Sequence, residues 1–275
     1  MNSGPIHISL ENVLRERLGK KAHWIPRPLI RSIERLICQQ QMNDMLSYAY
    51  PSQGAQFCRE VISRLNIDIN INGIENMPDK GNPRVLFCSN HPLGGLDGMI
   101  LIQFIENYFN AEPLFIINDL LMAIEPLRSV FVPVNKHGAQ SRASIKAIDN
   151  AFESDRPVII FPAGLCSRRI DGIVKDLPWQ KTFIQKAIQH HRDIFPLRFN
   201  AQNSPSFYRW AKLRERLGIK FNAEMILLPG EVFKSEGKTF NISVGKRIPW
   251  ESLSTDFKLE TQKIRNIVDS MASKA

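Results

Sequence analysis

The residue types best suited to chemistry lie together in one short stretch, Asn-His-Pro-Leu-Gly-Gly-Leu-Asp-Gly at residues 90–98. A histidine and an aspartate share this glycine-rich turn, which follows an apolar run at residues 84–89. An imidazole titrates near neutral pH, and a carboxylate that holds its second nitrogen fixes the tautomer and stabilises the protonated ring. The spacing therefore predicts that His91 is a general base and that Asp97 orients it. Asp97 can also cap the apolar helix that begins nearby, and the two roles are compatible.

A second cluster of chemical interest comes further along the chain, after another apolar run. Phe-Pro-Ala-Gly-Leu-Cys-Ser-Arg-Arg at residues 161–169 places a glycine, a hydroxyl and two guanidiniums on one loop. Gly164 would let main-chain N–H groups approach a ligand closely, and Arg168 and Arg169 offer paired donors to a phosphate or carboxylate. The ordinary alternative is a turn with exposed arginines.

The elements that position these clusters are predicted by the pattern from Asn66 onward. Apolar runs bounded by turn residues alternate there with helical periodicity, which indicates an α/β fold with a mostly parallel central sheet flanked by helices. In such sheets, ligands bind at the carboxyl ends of the strands. Strands are predicted at 67–72, 84–89, 113–117, 130–134, 157–161, 193–199, 224–228 and 239–244, and helices at 98–109, 139–152 and 182–190.

The chain is predicted to divide into an N-terminal helical segment, residues 1–65, and an α/β domain, residues 66–275. Within the first part, an apolar stripe runs through 29–37 with arginines at 27, 31 and 35 between its members. Such a basic amphipathic helix can lie on an anionic bilayer, with its arginines at the lipid phosphates. The alternative is a surface helix that packs its stripe on the core, and this pattern alone favours that alternative.

Composition narrows the class of partner. The 275 residues include 36 Lys and Arg against 27 Asp and Glu, a formal charge of +9, so an anionic partner is expected. No pattern of a nucleic-acid-binding module occurs, which leaves an anionic membrane or substrate. Four cysteines without a Cys-x-x-Cys pair predict neither a disulfide framework nor a zinc site. We interpret His190 and His191 as surface polar residues rather than metal ligands.

Targeting signals are absent from the pattern. No charged stretch leads into an apolar segment at the amino terminus, and no apolar run approaches the roughly 18 residues of a spanning helix. We therefore expect a cytoplasmic protein.

Four segments, in this order and approximate spacing, resemble the motif blocks of the lysophospholipid, or glycerolipid, acyltransferase superfamily. The resemblance extends from about residue 66 to 250 and includes the turn Gly-Ile-Glu-Asn-Met-Pro at 73–78 and the ending Val-Gly-Lys-Arg-Ile at 244–248. The blocks are Asn90-His91 with Asp97, Val130 to Val134 followed by Asn135-Lys136, Phe161 to Gly164 with Ser167-Arg168, and Ile194 to Leu197.

Two departures from the family pattern bear on the acceptor. Five residues separate His91 from Asp97 where the family commonly has four, and Gly94 and Gly95 can absorb the extra residue. The usual Phe-Pro-Glu-Gly is Phe-Pro-Ala-Gly, so Ala163 supplies no carboxylate. Both departures resemble the hemolysin-like or ornithine-lipid-type branch and point away from lysophosphatidate as the acceptor.

The resemblance implies an enzyme that moves a fatty acyl group, not an aminoacyl group, from acyl-CoA or acyl-acyl carrier protein to the hydroxyl of a lyso-lipid. The acceptor would be a lysophospholipid or a monoacylated amino-acid lipid, and no cofactor is expected beyond the acyl donor. A lipid substrate favours peripheral attachment to the inner membrane surface, through residues 29–37 and the aromatic and basic stretch 207–217. Candidate substrate contacts are Asn90, Gly94, Gly95, Asn135, Lys136, Gly164, Ser167, Arg168 and Arg169.

Three alternatives stay open on the sequence. Cys88, Ser89 or Cys166 can act as an acylated nucleophile with His91 as its base. The protein can be an N-acyltransferase that makes a lyso-aminolipid. It can also be a lipid- or acyl-CoA-binding protein without turnover, because the spacing and Ala163 depart from the common pattern.

Overall fold

The computed structural model describes residues 4–134, 142–219 and 222–271. Its strands are β1 (Asp68–Asn72), β2 (Leu86–Ser89), β3 (Leu114–Asn118), β4 (Phe131–Val134), β5 (Val158–Ile160), β6 (Arg168–Ile170), β7 (Ile173–Lys175), β8 (Ile194–Asn200) and β9 (Thr239–Val244). Its α-helices are α1 (Leu10–Leu18), α2 (Arg27–Leu36), α3 (Gln39–Ala49), α4 (Gly54–Arg64), α5 (Leu96–Phe109), α6 (Arg142–Glu153), α7 (Thr182–Gln189), α8 (Pro205–Arg216), α9 (Leu228–Phe233) and α10 (Phe257–Ser270).

Seven strands form one sheet in the order β1-β9-β8-β2-β5-β3-β4, and β6 pairs with β7 in a separate antiparallel hairpin. Neighbouring strands of the large sheet are parallel except β8 and β9. The predicted α/β fold with a mostly parallel sheet is therefore confirmed. Strand β2, which leads into the histidine turn, lies centrally between β8 and β5.

Both faces of this sheet are covered, which explains the continuous apolar sequence of β2. Successive side chains of a strand point to opposite faces. Accordingly, Phe87 packs in a core with α4 and α5, whereas Leu86 and Cys88 pack in a second core with α6, α7 and α10. A strand buried on both faces needs no polar alternation. The two helical layers therefore enclose β2 between them.

One predicted strand is wrong. Residues 224–228 fall in a 3-10 turn, Ala223–Leu227, and in the start of α9. Pro229 suits the first turn of a helix, where no N–H partner is required. Glu224 is buried here as an ion-pair partner and does not serve as a sheet residue. Residues 139–141 of the predicted helix 139–152 lie outside the described residues.

The N-terminal part is helical, as predicted. Helix α4 contributes buried residues such as Phe57 and Val61 to the main core. Helix α2, in contrast, has no buried residue, and Leu29 and Leu36 are exposed. The division of the chain at residue 65 stays a prediction. Among the described helices, none combines the length and the apolarity that a bilayer crossing needs.

Candidate active site

The histidine turn lies at the carboxyl end of β2, where the strand gives way to residues 90–95 and then to α5. His91 Nδ1 and Asp97 Oδ2 are 2.9 Å apart. The Asp97 carboxylate also accepts the N–H groups of Leu93 (2.9 Å), Gly94 (3.3 Å) and Gly98 (2.9 Å). Its side chain is fully buried, while that of His91 is 13% exposed. Asp97 is thus fixed by four contacts, and one imidazole edge reaches the surface.

The pairing defines the tautomer of His91. A carboxylate only accepts hydrogen bonds, so Nδ1 carries the hydrogen and Nε2 carries the lone pair. Among the described residues, Nε2 has no hydrogen-bond partner. The ring stacks on Phe161 with centroids 4.1 Å apart, and Phe161 meets Phe115 edge-on. The aromatic stack and Asp97 together hold Nε2 ready to accept a proton.

Helix α5 begins differently from the simple capping role considered for Asp97. Gly95 is the N-cap residue, and Asp97 lies in the first turn, bonded to Gly98 N–H. A carboxylate there is favoured by the helix dipole. The extra residue in the turn is accommodated at Gly94, whose φ is +86°. A Cβ at Gly94 would lie 2.8 Å from Leu228, whereas Gly95 has open space around it.

Asn90 has a structural role, because its side chain bonds to the main chain of β8. Its amide accepts the N–H of Phe199 at 2.7 Å and donates to the carbonyl of Phe199 at 2.9 Å. This bidentate pairing fastens the turn to β8. The predicted role of Asn90 as a substrate contact receives no support, because the side chain is buried and both of its polar atoms are engaged.

The loop after β5 places its polar residues in different roles. Gly164 has a φ of +67°, and its N–H closes a turn onto the carbonyl of Phe161. Ser167 is buried and bonds His91 through its main chain, N–H to carbonyl, at 2.7 Å. Of the two arginines, Arg168 is buried and Arg169 is exposed.

Arg168 is an internal ion-pair partner. Its guanidinium donates to the carbonyl of Cys166 and to the carboxylate of Glu224, each within 2.8 Å. It is therefore not available to a ligand, contrary to expectation. Arg169 lies over the ring of Tyr208, and no carboxylate pairs with it in the described parts of the chain. Asn135 and Lys136 lie outside the described residues.

The three candidate nucleophiles are poorly placed. Cys88 and Ser89 are buried in β2, and burial raises the pKa of Cys88. Burial also raises the pKa of Cys166 to about 11, which keeps the thiol protonated and weakly nucleophilic at neutral pH. Cys166 Sγ instead lies beside Met225 and Arg168. These environments favour direct transfer by a base.

The two adjacent histidines also differ from expectation. His190 is buried and faces Asp149 at 3.3 Å, while His191 is exposed and stacks on Trp250. Only His191 is therefore a surface residue. Across the described residues, no group of acidic, histidine and cysteine side chains could hold a metal ion.

Sequence reasoning missed Asp176, which bonds the main chain of His91. Asp176 Oδ1 accepts the N–H of His91 at 3.2 Å, and Oδ2 accepts the indole N–H of Trp179 at 2.9 Å. Its carboxylate is buried. No helical or strand periodicity links positions 85 residues apart, so the local sequence carries no signal for this contact.

A histidine whose Nδ1 is held by a buried aspartate, at the carboxyl edge of a mostly parallel sheet, is an arrangement suited to acid–base chemistry. The profile of the family described as Acyltransferase matches residues 12–268, and the chain belongs to that family. The protein is therefore an acyltransferase, which confirms the resemblance of its motif blocks.

Similar proteins cover nearly the whole chain. The lyso-glycine lipid O-acyltransferases of Phocaeicola vulgatus and Bacteroides thetaiotaomicron are 40% and 38% identical over 245 residues. The matches span 89% of this chain and 87% and 89% of those relatives. The crystal structure of the 1-acyl-sn-glycerophosphate (LPA) acyltransferase PlsC from Thermotoga maritima gives a TM-score of 0.48 at 14% identity, over 88% of this chain and 90% of that one.

Proposed function

We propose that the protein transfers a fatty acyl group from a thioester donor to the hydroxyl of a lyso-glycine lipid, with His91 as the general base. The observation that carries this proposal is the 2.9 Å contact between His91 and Asp97, which leaves Nε2 as the lone-pair nitrogen at the surface. The relatives at 40% and 38% identity support the acceptor and the choice of oxygen over nitrogen.

The proposed reaction needs one base that later serves as an acid. Nε2 of His91 takes the hydroxyl proton while the acceptor oxygen attacks the thioester carbonyl carbon. The tetrahedral intermediate collapses, the carbon–sulfur bond breaks, and the imidazolium returns the proton to the leaving thiolate. Asp97 stabilises the imidazolium between these steps. The products are an ester and a free thiol, and no acyl-enzyme forms.

The two arginines suggest how the acceptor binds. A glycine headgroup carries a carboxylate, and a guanidinium is well suited to pair with one. Arg168 is occupied by Glu224, so we assign this role to Arg169, two residues from the Ser167 that bonds His91.

The acyl donor is proposed as either acyl-CoA or acyl-acyl carrier protein, which present the same kind of thioester. We also propose that the enzyme works at the inner membrane surface, because its acceptor is a lipid. The exposed apolar residues of α2 and the basic surface of α8 support attachment there.

A thioester assay tests the proposal. Purified protein is given acyl-CoA or acyl-acyl carrier protein with a lyso-glycine lipid, with lysophosphatidate, or with an amine acceptor. We expect ester product from lyso-glycine lipid and a loss of about 10³-fold or more in His91→Ala, the order of a general base's contribution. Binding without turnover would contradict the proposal in favour of a binding protein, and amide product would favour N-acylation.

Arg169→Gln should raise KM for lyso-glycine lipid with kcat retained.

A further inference from the structure

The main chain of His91 is held from outside its own turn. Ser167 donates its N–H to the carbonyl of His91 at 2.7 Å, and the N–H of His91 donates to Asp176 Oδ1 at 3.2 Å. Ser167 Oγ completes the arrangement by donating to the same Asp176 oxygen at 2.5 Å. Both main-chain polar groups of His91 are thus bound by two residues distant in sequence.

The β6–β7 hairpin brings these two residues together. Arg168, the first residue of β6, pairs with Lys175, the last residue of β7. Ser167 precedes the one and Asp176 follows the other, so the two face each other at the open end of the hairpin. Asp176 is itself fixed by Trp179, which donates to Oδ2, and by Arg265 of α10, which donates to its carbonyl at 2.7 Å. The residue is 7% exposed, and both of its carboxylate oxygens are engaged.

We propose that Asp176 is a positioning residue of the acyl transfer. By binding the main-chain N–H of His91 and the hydroxyl of Ser167, it fixes the position of His91 relative to the loop after β5. Asp97 orients the imidazole only from within its own turn and α5. Asp176 and Ser167 instead join that turn to the loop that carries Gly164 and to strand β6, which carries Arg169, the residue proposed to bind the acceptor. A misplacement of about 1 Å between reacting groups can cost about 10²-fold in rate. This inference rests on the proposed function.

Substitution by asparagine tests the hydrogen bonds rather than the volume. In Asp176→Asn, an amide that keeps its oxygen towards His91 must point its NH₂ at the indole N–H of Trp179, which places donor against donor. If the amide rotates, its NH₂ faces the N–H of His91 instead. The variant therefore loses one contact either way, and Trp179→Phe removes the conflicting indole donor.

The experiment measures kcat, KM for lyso-glycine lipid, and the unfolding temperature of four proteins: the parent, D176N, W179F and D176N/W179F. We expect kcat of D176N to fall by about 10-fold to 10²-fold. The upper figure is the cost of a misplacement of about 1 Å between reacting groups. KM should stay nearly constant, because Asp176 is buried and both of its carboxylate oxygens are bonded within the protein. W179F leaves Oδ1 on His91 but removes one of the groups that fix Asp176, so kcat should fall less than in D176N, with a loss of stability. The double variant should recover most of the kcat of W179F.

Asp193 provides a matched control at the opposite end of the sheet. Like Asp176, Asp193 accepts a main-chain N–H, in this case that of Trp250 at 3.1 Å. It lies immediately before β8, away from the histidine turn. Asp193→Asn should lower the unfolding temperature and leave kcat unchanged. If kcat follows the unfolding temperature across all variants, or D176N keeps the parent kcat, the positioning role is overturned. An inactive parent would contradict the proposed function instead.

Discussion

At the residue scale, the tautomer of the His91 ring depends on the Asp97 carboxylate that accepts from Nδ1. Asp97 accepts from Nδ1 and from three main-chain N–H groups. Asp97→Asn introduces an NH₂ among these four donors. If that group meets Nδ1, the ring hydrogen moves to Nε2 and the base loses its lone pair at the surface. We expect kcat to fall about 10²- to 10⁴-fold with KM little changed, as measured by initial rates of thioester loss. Parent-like turnover would show that Asp97 does not orient the base.

The two glycines of the turn, Gly94 and Gly95, should tolerate an added side chain differently. Gly94→Ala forces a side chain into a φ of +86° and within 2.8 Å of Leu228, so strain and overpacking add. We expect a loss of about 2 kcal/mol or more in the free energy of unfolding. Gly95→Ala meets open space at a φ of −159° and is the control. Denaturant unfolding of both variants checks the difference, and equal losses would contradict it.

Sequence reasoning located the histidine and aspartate because both lie on one turn, where proximity follows from spacing. It also proposed Asn90 and Arg168 as substrate contacts, because their residue types suit ligands, and the structure shows both side chains bonded within the protein. Their partners, Phe199 and Glu224, lie 109 and 56 residues away. A sequence shows which donors exist, but tertiary packing decides which of them are already bonded.

At the element scale, α8 is fixed to the β6–β7 hairpin by buried charge. Glu224 is fully buried between Arg168, at 2.7 Å, and Arg214 of α8, at 2.8 Å. Glu224→Gln leaves two guanidiniums without their shared carboxylate, which we expect to cost about 3–5 kcal/mol in the free energy of unfolding.

A matched control shares the same arginine. Glu215 also pairs with Arg214, but its side chain is 61% exposed. Glu215→Gln should therefore change the free energy of unfolding by no more than about 1 kcal/mol. Chemical denaturation of the two variants measures the contrast. A stable Glu224→Gln protein would show that the network does not fix α8.

The same region shows the limit of element prediction. The central strands were predictable because they are apolar runs buried on both faces. The three-residue strands β6 and β7 are too short to show periodicity, so the hairpin was missed. Residues 224–228 suggested a strand because Glu224 is followed only by long apolar side chains. In the structure they form a 3-10 turn and the start of α9, and Glu224 pairs with Arg168 of β6 and Arg214 of α8.

At the scale of the whole molecule, the positive charge is accompanied by exposed apolar side chains. Helix α8 buries Phe207, Tyr208 and Ala211, whereas Trp210, Leu213 and the C-cap Leu217 are exposed. Arg209, Lys212 and Arg216 are exposed on the same helix. In the N-terminal part, Trp24 is 87% exposed and precedes the exposed Leu29 and Leu36 of α2. Apolar side chains flanked by cations match an anionic bilayer, where each cation near the surface contributes about 1 kcal/mol.

We therefore expect the protein to sediment with vesicles that contain anionic lipid, and binding to fall between about 0.1 and 1 M salt because the Debye length shrinks from about 10 to about 3 Å. Trp210→Ala should weaken this binding several-fold, since the indole suits the bilayer interface. The control is Leu259→Ala on α10, which removes an apolar side chain of similar exposure, 48% against 55% for Trp210. Equal losses in both variants, or binding that ignores anionic lipid and salt, would contradict attachment through α8.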